Sequence, residues 1–194
     1  LAICDHRSSQ PTLDELLRVA ADAHVGGLLT GKAGVLHLHL GDGARGLSLV
    51  REALAGSELP ARVFHPTHVN RRKALFDEAV ALAKQGCTID ITAFPVDENE
   101  DAWPADEALL RYLDSGAPAE RVTVSSDGGG CLPHFDGDGR VVHMDIGSPS
   151  SLAETLRNLL LRGQDLARVL PAFTRNPARL LRLRGKGEVA VGND

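Results

Sequence analysis

Histidines and one aspartate sit where short apolar runs end. His37 and His39 alternate with Leu36, Leu38 and Leu40; His65 and His68 flank Pro66-Thr67; Asp127 follows Ser125-Ser126 and precedes Gly128-Gly129-Gly130. Neutral imidazole and carboxylate are the ligands that zinc takes in hydrolytic sites. A carboxylate beside a cation can also take a proton and return it. Each piece alone has a bland reading. A strand histidine is more often a satisfied core or surface residue than a ligand, and an Asp before glycines is a common turn former. His37 and His39 share one face of a strand by alternation, and strand geometry alone leaves open which of them is used. The joint pattern carries more: His at one strand end, His at the next, Asp two strands later.

The elements that must position these residues repeat a short apolar run followed by an amphipathic stretch. Strands are expected over residues 1–5, 34–40, 62–68, 87–92 and 121–125. Helices are expected over 11–24, started at Pro11 or Thr12 and ended by Gly26-Gly27, and over 44–55, 70–85 and 104–114. Residues 127–149 read as a long Gly/Asp/Pro-rich loop, with helices near 151–161 and 165–181. About five βα units in series imply a parallel sheet, because each return to a parallel neighbour needs a crossover. Two architectures compete, an open doubly wound sheet and part of a (β/α)8 barrel. A strand already under way at Leu1 favours a barrel whose earlier units precede this stretch. In such a barrel the C-terminal strand ends converge on the face that hosts chemistry.

Composition excludes several classes. The 194 residues carry a formal net charge of -5, and 43% are hydrophobic. No dense Lys/Arg block stands out, which argues against nucleic acid and anionic membrane as partners. The run over 175–186 alternates arginine with leucine and reads as the cationic end of an amphipathic helix. Cys4, Cys87 and Cys131 are scattered and odd in number, which fits free thiols in a reducing cytoplasm. No stretch approaches the apolar length of a membrane span.

In finer detail the chain resembles the metal-dependent amidohydrolase superfamily and, within it, the isoaspartyl (β-aspartyl) dipeptidases. The segments that carry the likeness are Asp5-His6-Arg7-Ser8, Val25-Gly26-Gly27-Leu28-Leu29, His39-Leu40-Gly41-Asp42, Pro66-Thr67-His68-Val69-Asn70-Arg71, Gly86-Cys87-Thr88-Ile89-Asp90-Ile91-Thr92, Val122-Thr123-Val124-Ser125-Ser126-Asp127-Gly128 and Gly185-Lys186-Gly187-Glu188. The resemblance implies an α/β fold, the C-terminal part of a (β/α)8 barrel over residues 1–184. Residues 185–194 would begin the link to a small β domain. It implies two zinc ions and a bridging hydroxide, with His39 and His68 on one zinc and Asp127 on the other. Asp127 would also shuttle the proton to the leaving amine. Arg7 and Arg71 match positions that hold the substrate's carboxylate, a task suited to a guanidinium fork. Cys131 stands where the family has a substrate-contacting serine, and a thiol is a weaker donor than a hydroxyl.

The family's first HxH pair, a carbamylated lysine expected immediately before Leu1, and further substrate-reading residues would all precede this stretch. The resemblance therefore implies a cytoplasmic metallo-dipeptidase acting on β-aspartyl dipeptides, with this stretch alone inactive. It also implies a homo-oligomer, an octamer among the options. Rival readings are a cyclic-amide hydrolase of the dihydroorotase or hydantoinase type, which should lack the paired Arg7 and Arg71, and a non-catalytic barrel scaffold.

Overall fold

The computed structural model describes residues 1–193. Its spine is five parallel strands: β1 (Ala2–Ile3), β2 (Leu36–Leu40), β3 (Phe64–Thr67), β4 (Ile89–Thr92) and β5 (Val122–Ser125). β1, β2 and β3 share one ladder, and β4 and β5 share another. Between the ladders, the Thr67 hydroxyl reaches Asp90 and Thr92. Helices α1 (Leu13–Thr30), α2 (Ser48–Gly56), α3 (Lys73–Gln85) and α4 (Ala105–Asp114) make the crossovers. This is an α/β fold of parallel strands, and among the described residues the strands do not close into a barrel.

Strand alternation divides the faces. Leu36, Leu38 and Leu40 are buried, while His37 and His39 point to the open side. The buried leucines join Phe64, Ile89, Ile91 and Val122 from the strands, and Leu16, Val50, Phe76, Ala79 and Leu109 from the helices, in one core. Burying such side chains contributes about 1.5–3 kcal/mol each relative to exposure. The lead-ins to β3 and β5 use the same device. Pro60 precedes a 3-10 turn (Ala61–Val63) that feeds β3, and Pro118 precedes one (Ala119–Arg121) that feeds β5.

Three local expectations need correction. α1 starts at Thr12, whose hydroxyl and Glu15 form a capping box, but it runs through Gly26-Gly27 to Thr30. A Cβ on Gly27 would lie 2.4 Å from the Gly34 Cα. Gly27 serves close packing inside the helix, and Gly31, at φ 70°, ends it. The expected loop over 127–149 contains an antiparallel hairpin, β6 (Cys131–Phe135) and β7 (Val141–Ile146), in which His134 faces His143. After α5 (Ser150–Leu161), the single helix expected over 165–181 is two short ones, α6 (Leu166–Val169) and α7 (Arg175–Leu180). Between them Pro171 sits in a 3-10 turn (Leu170–Ala172); proline lacks the N–H that a continuous helix would bond. The basic run thus leaves helical structure at Leu180.

Candidate functional site

The carboxyl ends of β2, β3 and β5 meet. His39 lies at the end of β2, and its Nδ1 is 3.0 Å from His68 Nε2. His68 follows β3 in the left-handed region, at φ 63° and ψ 26°. Such a conformation is uncommon outside glycine and costs about 1–3 kcal/mol, so the surroundings must hold it. Asn70 does so while fully buried. Its amide donates to the carbonyls of Thr92 and Trp103, at 3.0 and 2.8 Å, and its own carbonyl accepts from Thr92 N–H at 2.9 Å. Thr92 Oγ1 also lies 2.8 Å from His68 Nδ1. That contact fixes the ring and leaves Nε2 aimed at His39.

Asp127 follows β5, also at positive φ, 48°. Its Oδ2 is 4.0 Å from His68 Nε2. A Cβ on Gly130 would lie 2.8 Å from the Asp127 carboxyl carbon, so the glycine leaves the carboxylate its room. Burial, the Arg71 cation and the neighbouring histidines hold His68 down to about 4, against the pull of Asp127. Burial likewise lowers His39. Both imidazoles are neutral at physiological pH, the form that donates a lone pair.

Below this pair lies a second tier. His37 Nδ1 is 2.9 Å from His65 Nδ1, and His65 Nε2 is 3.2 Å from Thr123 Oγ1. Asp90 lies next to it, 3% exposed. Burial pushes its carboxyl up to about 6, although hydrogen bonds from Ser125, Thr123 and Thr67 pull the other way.

The remaining candidates sit at the rim. Arg71 Nη1 donates to Asp42 Oδ1 at 3.3 Å and, with His68, Thr92 and Asp127, lines a cleft of about 280 Å³ roofed by the hairpin. Arg7 does not line that cleft; its Nε and Nη2 grip the Asp5 carboxylate at 3.0 and 2.7 Å. That grip holds the Asp5 carboxyl at about 2. Cys131 is exposed at the start of β6, outside the cleft lining. A larger cleft of about 610 Å³ lies between α3 and α4, where Arg111 and Lys73 cover the Trp103 ring. It contains no histidine, and its Arg162 is tied to Asp106 and Glu107. The smaller cleft therefore holds the convergent chemistry.

As a donor set, two neutral imidazole nitrogens with a carboxylate nearby fit a small divalent cation. Among the described residues no group of three or more His, Cys, Asp or Glu side chains is placed to hold a metal ion. Sequence reasoning missed Asp90, Thr92 and Asn70. The alternation of Thr88, Asp90 and Thr92 with Ile89 and Ile91 was the available signal, because it sends the polar set to the histidine side.

No family model matches the chain. The chain is similar over its whole length to solved structures, among them the following two. One is a β-aspartyl dipeptidase from the thermophilic keratin-degrading Fervidobacterium islandicum AW-1, in complex with the β-Asp-Leu dipeptide. It is 43% identical with a TM-score of 0.90, and the match covers 100% of this chain and 50% of that one. The other, a β-aspartyl dipeptidase structure from the same organism, is 39% identical with a TM-score of 0.85, covering 100% and 48%. Fold and site together define a parallel α/β protein whose polar residues gather at the carboxyl ends of its strands. The chain belongs with the β-aspartyl (isoaspartyl) dipeptidases and spans about half the length of these relatives.

Proposed function

We propose that this chain forms part of a metal-dependent enzyme that hydrolyses β-aspartyl dipeptides. The observation that carries the reading is the meeting of His39 Nδ1 and His68 Nε2 at 3.0 Å, with Asp127 Oδ2 4.0 Å from the latter, at the carboxyl ends of parallel strands. The solved relative's β-Asp-Leu complex supports the substrate class.

In this reading His39, His68 and Asp127 hold part of a two-zinc site, completed by residues ahead of Leu1 that include a carbamylated lysine. The bound cations would polarise the amide carbonyl and acidify the attacking water. Asp127 accepts the proton from that water as the C–O bond forms. It returns the proton to the amide nitrogen as the C–N bond breaks, so the leaving amine departs neutral. Arg71, at the cleft wall, takes the substrate's free carboxylate in place of Asp42. Arg7 serves the same anion after exchanging Asp5 for it, and Cys131 contacts substrate from the hairpin. Residues 185–194 would begin a link to a further small β domain. The enzyme works in the cytoplasm as a homo-oligomer, and among the described residues no helix is long and apolar enough to cross a membrane.

The test is Asp127→Asn in the intact enzyme, assayed on β-Asp-Leu with metal content measured alongside. Turnover should collapse while metal is retained. Near-normal turnover with full metal would return Asp127 to the turn.

A further inference from the structure

Among the described residues, no cation enters the hydrogen-bond shell of the buried Asp90 carboxylate. The hydroxyls of Thr67 and Ser125 donate to its Oδ2, each at 2.6 Å, and that of Thr123 donates to Oδ1 at 2.5 Å. A carboxylate can only accept, and a hydroxyl has one proton. Each of these three hydroxyls therefore points its proton at Asp90 and faces its other neighbours with lone pairs. Thr123 has a competing acceptor, Ile89 O, but at 3.4 Å; the short charge-assisted bond wins.

Two arms follow from that polarity. Thr123 can then only accept from His65 Nε2, at 3.2 Å. His65 carries its proton there, and its Nδ1 lone pair accepts from His37 Nδ1–H at 2.9 Å. In the other arm, Thr67 presents a lone pair to Thr92 Oγ1 across a longer 3.5 Å contact. The Thr92 proton turns that way, so Thr92 accepts from His68 Nδ1–H at 2.8 Å. His68 Nε2 is left as a bare lone pair facing His39 and Asp127.

We propose that Asp90 is a positioning residue that sets the direction of every proton in the layer beneath the site, holding His65 as its Nε2–H tautomer and His68 as its Nδ1–H tautomer. The part concerning His68 as a ligand rests on the proposed metal site; the part concerning His65 does not. A hydrogen-bond acceptor behind a metal-binding histidine typically governs 10–100-fold in metal affinity. Here the acceptor is a threonine hydroxyl whose own orientation is dictated two links away.

The experiment is ¹⁵N–¹H correlation of the histidine ring nitrogens in the intact metal-loaded enzyme, with Zn²⁺ affinity from chelator competition. The wild type should show His65 protonated at Nε2. Thr123→Val should release His65 to a mixture of tautomers and leave Zn²⁺ affinity unchanged. Thr92→Val should weaken Zn²⁺ about 10–100-fold without touching His65, and Thr92→Ser should restore it. Asp90→Asn must donate from its amide to one arm, so either His65 turns to Nδ1–H or Zn²⁺ affinity falls. If that variant fails to fold, the threonine variants decide. A wild-type His65 protonated at Nδ1 would overturn the proposal. So would threonine variants that disturb both arms alike, since that is the mark of general loosening. If the tautomers behave as stated but β-aspartyl dipeptides are not hydrolysed, the proposed function fails and the role of Asp90 stands.

Discussion

The two ends of the same strands are built differently. At the amino ends of β3 and β5, matching proline-led 3-10 turns deliver the chain, with Pro60 and Pro118 at ordinary φ of -69° and -61°. At the carboxyl ends the chain leaves through strained residues. Cys4 after β1, His68 after β3 and Asp127 after β5 all have positive φ, at 55°, 63° and 48°. Each end also has a buried asparagine staple. Asn176 ties α7 to the carbonyls of Ala119 and Val122 at the foot of β5, both at 2.8 Å. Asn70 ties the His68 turn to β4 at the other end. One end is regular and serves stability; the other stores strain where side chains must be aimed.

The comparison breaks or holds most decisively at Asp127. Asp127→Asn keeps the turn-forming side chain and its size but removes the proton acceptor. We expect kcat to fall by about 10²–10⁴-fold with metal retained, measured by single-turnover hydrolysis and metal analysis. Arg71→Met comes next. Loss of one charge-assisted contact, about 1.5–3 kcal/mol, should lower kcat/KM for β-aspartyl dipeptides by roughly 10–100-fold and leave metal content intact. Loss of metal instead would make Arg71 structural.

Between the two ends the polar layer predicts a pH effect. His65 is held at about 3, first by burial and then by His37, whereas Asp90 is raised to about 6. From pH 6 to 4 the unfolded chain binds the proton that His65 refuses, so acid destabilises the fold. Over the same interval the folded chain binds a proton on Asp90 that the unfolded chain does not yet bind, so acid stabilises it. The two oppose each other. Asp90→Asn removes the second, while the burial that chiefly holds His65 down remains, so its stability should fall more steeply from pH 6 to 4, by on the order of 2 kcal/mol. Urea midpoints against pH check this. Parallel curves for mutant and wild type would contradict it.

Much of the strand-end geometry was legible because it follows from alternation. Leucines at 36, 38 and 40 had to face the helices, which sent His37 and His39 to the other side. What stayed hidden needed contacts distant in sequence. Gly27 looks like a helix stop until Gly34 is known to press against it. The hairpin was obscured by its glycines and aspartates, although Val141 and Val142 lie beside a turn rich in both. Asp90 looked like one polar residue in a short strand; only the approach of Thr67, Thr123 and Ser125 from two other strands makes it a hub. Arg7 is the reverse case. Its type suited a substrate anion, and the fold adds a local partner, Asp5, that composition could not weigh.

The amino ends give the smaller effects. Asn176→Ala would leave the buried Val122 carbonyl and the part-buried Ala119 carbonyl without this donor, at about 1–3 kcal/mol, and should lower the melting temperature without changing KM. A fall in kcat as large as that of Asp127→Asn would erase the distinction between the ends.

Pro118→Ala probes the same end more gently. Its φ of -61° is one that alanine also adopts, and its role as acceptor is carried by a backbone carbonyl that alanine keeps. Tyr112 Oη donates to that carbonyl at 2.8 Å and Arg121 N–H at 2.9 Å. No folded-state contact of that oxygen is therefore lost. What changes is the unfolded chain, which gains conformations that the pyrrolidine ring had forbidden. That effect is worth about 0.4–1 kcal/mol. The mutant should unfold at slightly lower urea with an unchanged slope, and its kcat and KM on β-Asp-Leu should match the wild type. A changed kcat at unchanged stability would mean that the foot of β5 transmits its position to Asp127, and the two ends would then have to be treated as one device.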